Sequence, residues 1–155
     1  MILQPSTVNT INFTRVFTMR CDAPTAYRTY TSDEHWRNSR IYSDIRWIGE
    51  PWEKGSYRDV EVLLPVPHKR RQNVQTVDPG RFFALLTHGN QYTTQTSLYF
   101  KQVSNHETEV TWNVEIAGDS PDPSMTVEEF MEMFYQNMKQ EAERILELIT
   151  SGKET

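Results

Sequence analysis

The chain has 155 residues, 37% hydrophobic and 24% charged, with a net charge of −5. That length holds one domain with a substantial core and is short for two. The acidic balance argues against a general nucleic-acid binder, and no apolar run approaches the roughly 20 residues of a membrane span, so neither nucleic acid nor stable membrane insertion is expected.

In chain order, MILQPSTVNT lacks the charged start and long apolar stretch of a secretory signal, and residues 1–9 are expected to be a flexible end. TINFTRVFTMR (10–20) alternates, with Ile11, Phe13, Phe17 and Met19 on one face, and predicts a strand. Cys21, the single cysteine, precludes an internal disulfide and fits a reducing compartment, hence a cytoplasmic protein. Asp22 is a good N-cap and Pro24 suits a first helical turn, which predicts a short helix over 23–32 and a second turn of helix around Trp36.

Strands follow at 44–50, 56–65, 69–77, 81–88, 92–103 and 109–118, joined by turns such as PWEKG and DPG. In the last of them Val110, Trp112, Val114 and Ile116 share one face. The final helix has a complete start: Thr126 and Glu129 have capping-box spacing, and Met125 and Phe130 the spacing of a hydrophobic staple. Gly152 suits its end, before a short flexible tail at 152–155.

Consecutive strands with short connections imply an antiparallel meander, and one long amphipathic helix must cover a face of it. A curved sheet around a straight rod leaves a gap, and such gaps are typical ligand sites. The fold class is α+β, in one domain over residues 10–151.

The stretches CDAPTAYRTYTSDEHW, WEKGSYRDV, VQTVDPGRFFAL and ETEVTWNVEI, ahead of a long C-terminal helix, resemble the helix-grip superfamily. It includes START lipid-transfer domains, birch-pollen-allergen-like proteins and polyketide cyclase/dehydrase-like proteins. The likeness extends over about residues 10–150. It implies a seven-stranded curved sheet wrapped around the C-terminal helix, with two short helices after the first strand. It also implies a deep, largely apolar cavity, used for lipids, hormones or polyketides and in some members for catalysis. None of the catalytic motifs of its subfamilies is evident in the chain.

Several residues are candidates for that cavity. On a helical wheel Val127, Phe130, Met131, Phe134, Met138, Ala142, Ile145 and Ile149 fall within an arc of about 120°. Phe130, Met131, Phe134 and Met138 are either plain core or a roof over the cavity, with Ile145 and Ile149 clamping the far end. Glu141 falls in the same arc, either paired with an arginine at the edge of the stripe or serving as a polar anchor for a ligand. Trp112 and Val114 face inward, Trp52 is a loop anchor or part of the cavity rim, and Trp36 sits where the family's second short helix borders the mouth. Tyr92, Thr94 and Thr96 share parity with Leu98 and Phe100, so that face turns polar toward the strand's start.

The basic run HKRR (68–71) is split by strand alternation, Lys69 and Arg71 to one side and His68 and Arg70 to the other. Arg70 and Gln72 share a face with Val74, and His88 closes the next strand. An inward Arg70 or His88 could bind a carboxylate or act as acid or base.

Scattered histidines without HExxH or CxxC leave no metal site, and no cofactor is expected. Cys21 reads as a packed thiol. The leading expectation is binding or transport of a small hydrophobic or amphipathic molecule. A cyclase, dehydratase or hydrolase using Glu141, His88 or Arg70 is the second, and a protein-interaction module with a filled cavity the third.

Overall fold

The computed structural model describes residues 10–151. The expected flexible ends, 1–9 and 152–155, and Gly152 as a helix stop lie outside the described residues.

The elements run β1 (Thr10–Met19), α1 (Ala23–Thr31), α2 (Asp33–Trp36), β2 (Tyr42–Ile48), β3 (Tyr57–Val62), β4 (His68–Asp78), β5 (Phe82–His88), β6 (Tyr92–Ser104), β7 (Glu107–Gly118) and α3 (Val127–Thr150). The strands form one antiparallel sheet in the order β1-β7-β6-β5-β4-β3-β2. β1 and β2 therefore stand at opposite edges, and α1 and α2 connect them. Register shifts at Tyr42/Asp44, Val74/Thr76 and Gln102/Ser104 mark irregularities of the bulge type, which bend and twist a strand. Strand β3 ends at Val62, earlier than its apolar run suggests, because Pro65 and Pro67 remove ladder donors just beyond it.

Both main helices start as their sequences require. The Asp22 carboxylate accepts from the Thr25 amide at 2.9 Å. At α3 the Thr126 hydroxyl accepts from the Glu129 amide at 3.1 Å, and the Glu129 carboxylate accepts from the Thr126 amide at 2.9 Å. The capping box satisfies two backbone donors that a helix start otherwise leaves bare.

Helix α3 packs against the inner face of the sheet, and its two halves differ. Ala142 and Ile145 are fully buried and Ile149 nearly so, whereas Phe134 and Met138 are half-buried. The buried stripe also takes in Tyr135, which the helical wheel leaves out. Its ring lies 6.2 Å from Phe13, 6.0 Å from Phe17 and 5.5 Å from Trp112, so three inward aromatics of β1 and β7 pull it into the core.

Gly118 ends β7 at φ +114°, where a Cβ would stand 2.2 Å from the Gln91 carbonyl oxygen and 2.8 Å from Tyr92 Cα. Only glycine allows this approach, which fixes the start of β6 and with it Tyr92. Gly118→Ala is expected to cost about 2–3 kcal/mol, read as a lower urea midpoint at unchanged m-value. A variant that unfolds at the wild-type midpoint would show that the approach is no constraint.

Candidate functional site

Between the inner face of the sheet and the first half of α3 lies a cavity of about 80 Å³, and all the atom-free space between its walls and at its mouth comes to about 750 Å³. Its walls are mostly apolar. Phe130, Met131, Phe134 and Met138 contribute from α3, Trp112 and Val114 from β7, Leu98 from β6, and Phe83 and Leu85 from β5. Trp112 stacks on Phe134 with centroids 6.5 Å apart, and Phe130 meets Phe134 edge-on at 5.9 Å. These ring contacts hold the roof in a defined shape.

Polar groups enter the cavity from two clusters. The first is built around Arg58 of β3, whose side chain is buried. Its guanidinium donates to the Asp33 carboxylate of α2 and, through Nε, to Gln72 Oε1 at 2.6 Å. Asp33 also accepts from Trp47 Nε1 at 2.6 Å. The guanidinium lies 4.6 Å from the Trp52 ring centre, 5.5 Å from Trp47 and 5.6 Å from Tyr42, an aromatic box around a cation already neutralised by Asp33. Trp52 holds φ +60° in the left-handed region, rare for a bulky residue, and its indole Nε1 is buried without a partner.

The second cluster is built around Arg70 of β4, 3% exposed. Its Nη2 donates to the carbonyl oxygens of Tyr92 at 2.6 Å and Thr87 at 3.2 Å, and Nη1 to that of Asn90 at 3.2 Å. The guanidinium lies 3.6 Å from the centre of the Tyr92 ring. Among the described residues no carboxylate forms an ion pair with it, and its Nε has no partner. Burial lowers its pKa, opposed by the facing Tyr92, but a guanidinium stays charged. Arg70 thus brings to a mostly apolar cavity a positive charge that carbonyl oxygens and a ring solvate but no described carboxylate neutralises.

Tyr92 links this cluster to His68. The Tyr92 hydroxyl and His68 Nε2 are 2.7 Å apart, and His68 Nδ1 is 2.7 Å from the Val66 carbonyl oxygen. A carbonyl only accepts, so Nδ1 carries the proton, and in the neutral ring Nε2 accepts from the tyrosine. Burial lowers the His68 pKa, opposed by its bond to Val66 and reinforced by Arg70. Burial raises that of Tyr92, with Arg70 opposing and Tyr42 adding to it.

The structure brings Trp36, Trp52, Arg70, Gln72, Tyr92, Thr96, Leu98, Trp112, Val114, Phe130, Met131, Phe134 and Met138 around this one space. It does not bring His88 there. Strand β5 turns Phe83, Leu85 and Thr87 inward, which puts His88, exposed, on the outer face beside Asp59 and Arg71. Nor does Glu141 reach the cavity. It faces the 39–41 loop, where it accepts from the Arg40 amide at 2.7 Å and from the guanidinium groups of Arg40 at 3.4 Å and Arg144 at 2.6 Å. The charge in the stripe is a structural clasp, and the Glu141 and His88 acid–base candidates are withdrawn from the cavity.

The HKRR run does split, Lys69 and Arg71 exposed and Arg70 buried. Cys21 is buried, and burial, with Asp22 adding, pushes its thiol up to about 11, which leaves little thiolate at neutral pH. Residues missed from sequence are the polar or aromatic Arg58, Tyr30, Tyr42 and Thr87 and the apolar Val62, Phe83 and Leu85. Arg58 was within reach: in YRDVEV it shares parity with Val60 and Val62. Among the described residues no group of three or more His, Cys, Asp and Glu gathers to hold a metal, and no helix is long and apolar enough to cross a membrane.

No family profile and no curated protein sequence matches the chain. Solved structures do. A START superfamily protein from Mycobacterium smegmatis matches with a TM-score of 0.74 at 8% identity, over 89% of this chain and 98% of that one. Norcoclaurine synthase from Thalictrum flavum, solved with dopamine and hydroxybenzaldehyde, matches at 0.68 and 12% identity over 100% and 98%. The Zhui aromatase/cyclase from Streptomyces sp. R1128 matches at 0.65 and 9% identity over 89% and 92%. The chain thus has the helix-grip fold that these structures share, a curved antiparallel sheet around a long C-terminal helix. Identities this low establish the fold alone.

Burial acts to raise the Glu141 pKa, but the Arg144 bond, the Arg40 amide and the two guanidinium charges outweigh it and hold the carboxyl below its ordinary value. A depressed folded-state pKa contributes stability above the unfolded value, near 4.3, that is lost as pH falls through the folded one. Glu141→Gln keeps an acceptor for the Arg40 amide but loses the charge. It is expected to cost about 1–3 kcal/mol at neutral pH, with the difference from wild type shrinking below pH 4 or so. Urea titrations across pH check this; a pH-independent difference would show that the charge is not what stabilises.

Proposed function

We propose that residues 10–151 act as one ligand-binding domain whose cavity takes a small, largely aromatic or apolar molecule carrying an anionic or acceptor oxygen. The observation that carries this reading is Arg70, a buried cation with no carboxylate partner among the described residues and an unpartnered Nε, at the wall of an otherwise apolar space. An ionised group out of water costs several kcal/mol unless it is compensated. The three carbonyl oxygens and the Tyr92 ring compensate part of that cost, and an oxygen of the ligand supplies the rest. Apolar walls contribute affinity by burial, at roughly 25 cal/mol per Å² removed from water.

Trp52 Nε1, the second unpartnered donor, suits a further acceptor on the ligand. On α3, Met131 and Met138 supply soft walls that adapt to ring systems beside the fixed rings of Phe130 and Phe134. The structural neighbour solved with dopamine and hydroxybenzaldehyde supports rings bearing oxygen as a ligand class for this architecture. The buried free thiol suits a reducing, cytoplasmic setting. The interaction-module reading has less support, because its basis is a filled cavity.

Titration of intrinsic tryptophan fluorescence with naphthoate and with its uncharged counterpart naphthalenemethanol tests the reading. Naphthoate is expected to bind roughly tenfold or more tightly than the alcohol. Arg70→Met should erase that preference, and Arg70→Lys should keep part of it. Equal affinity for the two probes would remove the anion from the proposal, and failure of both to bind would remove the cavity.

A further inference from the structure

We propose that Tyr92 and His68 form an acid–base dyad that accepts a proton from a ligand hydroxyl held beside Arg70, which gives the cavity the means for proton-transfer chemistry. The inference rests on the proposed function above, since the ligand must first be seated at Arg70. Four observations carry it. Tyr92 is at once a wall of the cavity and the partner of His68 at 2.7 Å. The Val66 carbonyl fixes the imidazole with its proton on Nδ1, which leaves Nε2 as the base. The Arg70 guanidinium, 3.6 Å from the Tyr92 ring centre, places a positive charge where a ligand oxyanion would form. His68 itself is only half-buried, so its proton can exchange with solvent outside the cavity.

The O–H bond of the ligand breaks and its proton passes to Tyr92 Oη as the tyrosine's own proton passes to His68 Nε2. The electron pair stays on the ligand oxygen, facing Arg70, and His68 becomes an imidazolium whose Nδ1–H still donates to Val66. The tyrosine oxygen donates one bond and has a free lone pair to accept the second, so it can relay in both directions. Its raised pKa means that it serves as a relay and never as a standing tyrosinate. The titratable and charged groups set against the dyad are Arg70 on β4 and Tyr42 on β2, while α3 contributes the uncharged Phe130, 5.2 Å from Tyr92. A buried tyrosine hydroxyl needs some partner, but a carbonyl or amide would serve that purpose without providing a base.

Nitrophenols are suitable probes, because their absorbance distinguishes phenol from phenolate. At a pH below the probe's own pKa, wild-type protein is expected to raise the phenolate fraction of bound probe roughly tenfold over free probe. Nitrogen-15 spectra of labelled histidine should show His68, assigned by H68Q, moving from neutral to imidazolium on binding. Tyr92→Phe, which keeps the ring and its stacking, and His68→Gln should each bind the probe and lose this gain. If the probe binds in an Arg70-dependent manner but stays neutral, or ionises equally in Y92F and H68Q, the dyad is overturned and the cavity reading stands. A nitrophenol that does not bind, or binds alike in wild type and R70M, overturns the Arg70 reading, and the dyad falls with it.

Discussion

A curved sheet and a straight helix can pack closely over only part of their length, and the interior of this protein is arranged around that mismatch. Twenty-four helical residues make a rod of roughly 36 Å, while three register shifts and the ordinary strand twist carry the sheet away from it. Where helix and core meet, Ala142 and Ile145 are fully buried and the contact is aliphatic. Where they part, collapse would require the sheet to flatten or the helix to bend. The sequence instead places Phe130, Phe134 and Met138 on the helix side and Trp112 on the sheet side, large enough to touch across the space without filling it. The change of composition along α3 is the chemical record of that divergence.

Within the gap the two arginines are treated differently. Arg58 is neutralised by Asp33, and because Asp33 belongs to α2 and also holds Trp47, the pair works chiefly as a tie between the short helices and the sheet. Arg70 is held by main-chain carbonyl oxygens, which orient a guanidinium without cancelling its charge. These bonds also gather the β5–β6 turn, and Gly89 permits it: a Cβ there would stand 2.4 Å from Arg70 Nη1. An acidic protein thereby presents a positive interior. The surface carboxylates are screened by salt over about a Debye length, whereas an oxyanion inside the cavity meets Arg70 across a medium of low dielectric.

Much of this was legible in the sequence where alternation was clean or a cap was complete. The order of elements along the chain, the inward Trp112 and Val114 and the polar run Tyr92–Thr94–Thr96 follow from two-residue and 3.6-residue periods with turn signals, and both helix starts from their capping residues. His88 was misplaced because FFALL is apolar at five successive positions and so gives β5 no face to read; the neighbouring Thr87 is the residue that turns inward. Tyr135 escaped the helical wheel because its burial is set by three aromatics on β1 and β7, distant in sequence. Glu141 stood out correctly as a charge in an apolar stripe paired with an arginine; Arg144 is three residues on, but Arg40 lies 101 residues away, and no local pattern reports that second contact.

The same distinction between local and distant information bears on binding against chemistry. A carrier needs only apolar walls and an anchor, the part proposed for Arg70. The dyad is different in kind, because it joins residues from β4 and β6 through a hydrogen bond that a plain binding protein would not require. A tyrosine satisfied by a backbone carbonyl would be as stable and would cost no histidine tautomer. Here the imidazole is fixed from its far side by Val66, faces the cavity wall through a lone pair, and stands half in solvent. Those are the requirements for moving a proton between a closed, low-dielectric site and water, and nothing in packing or ligand affinity demands all three together.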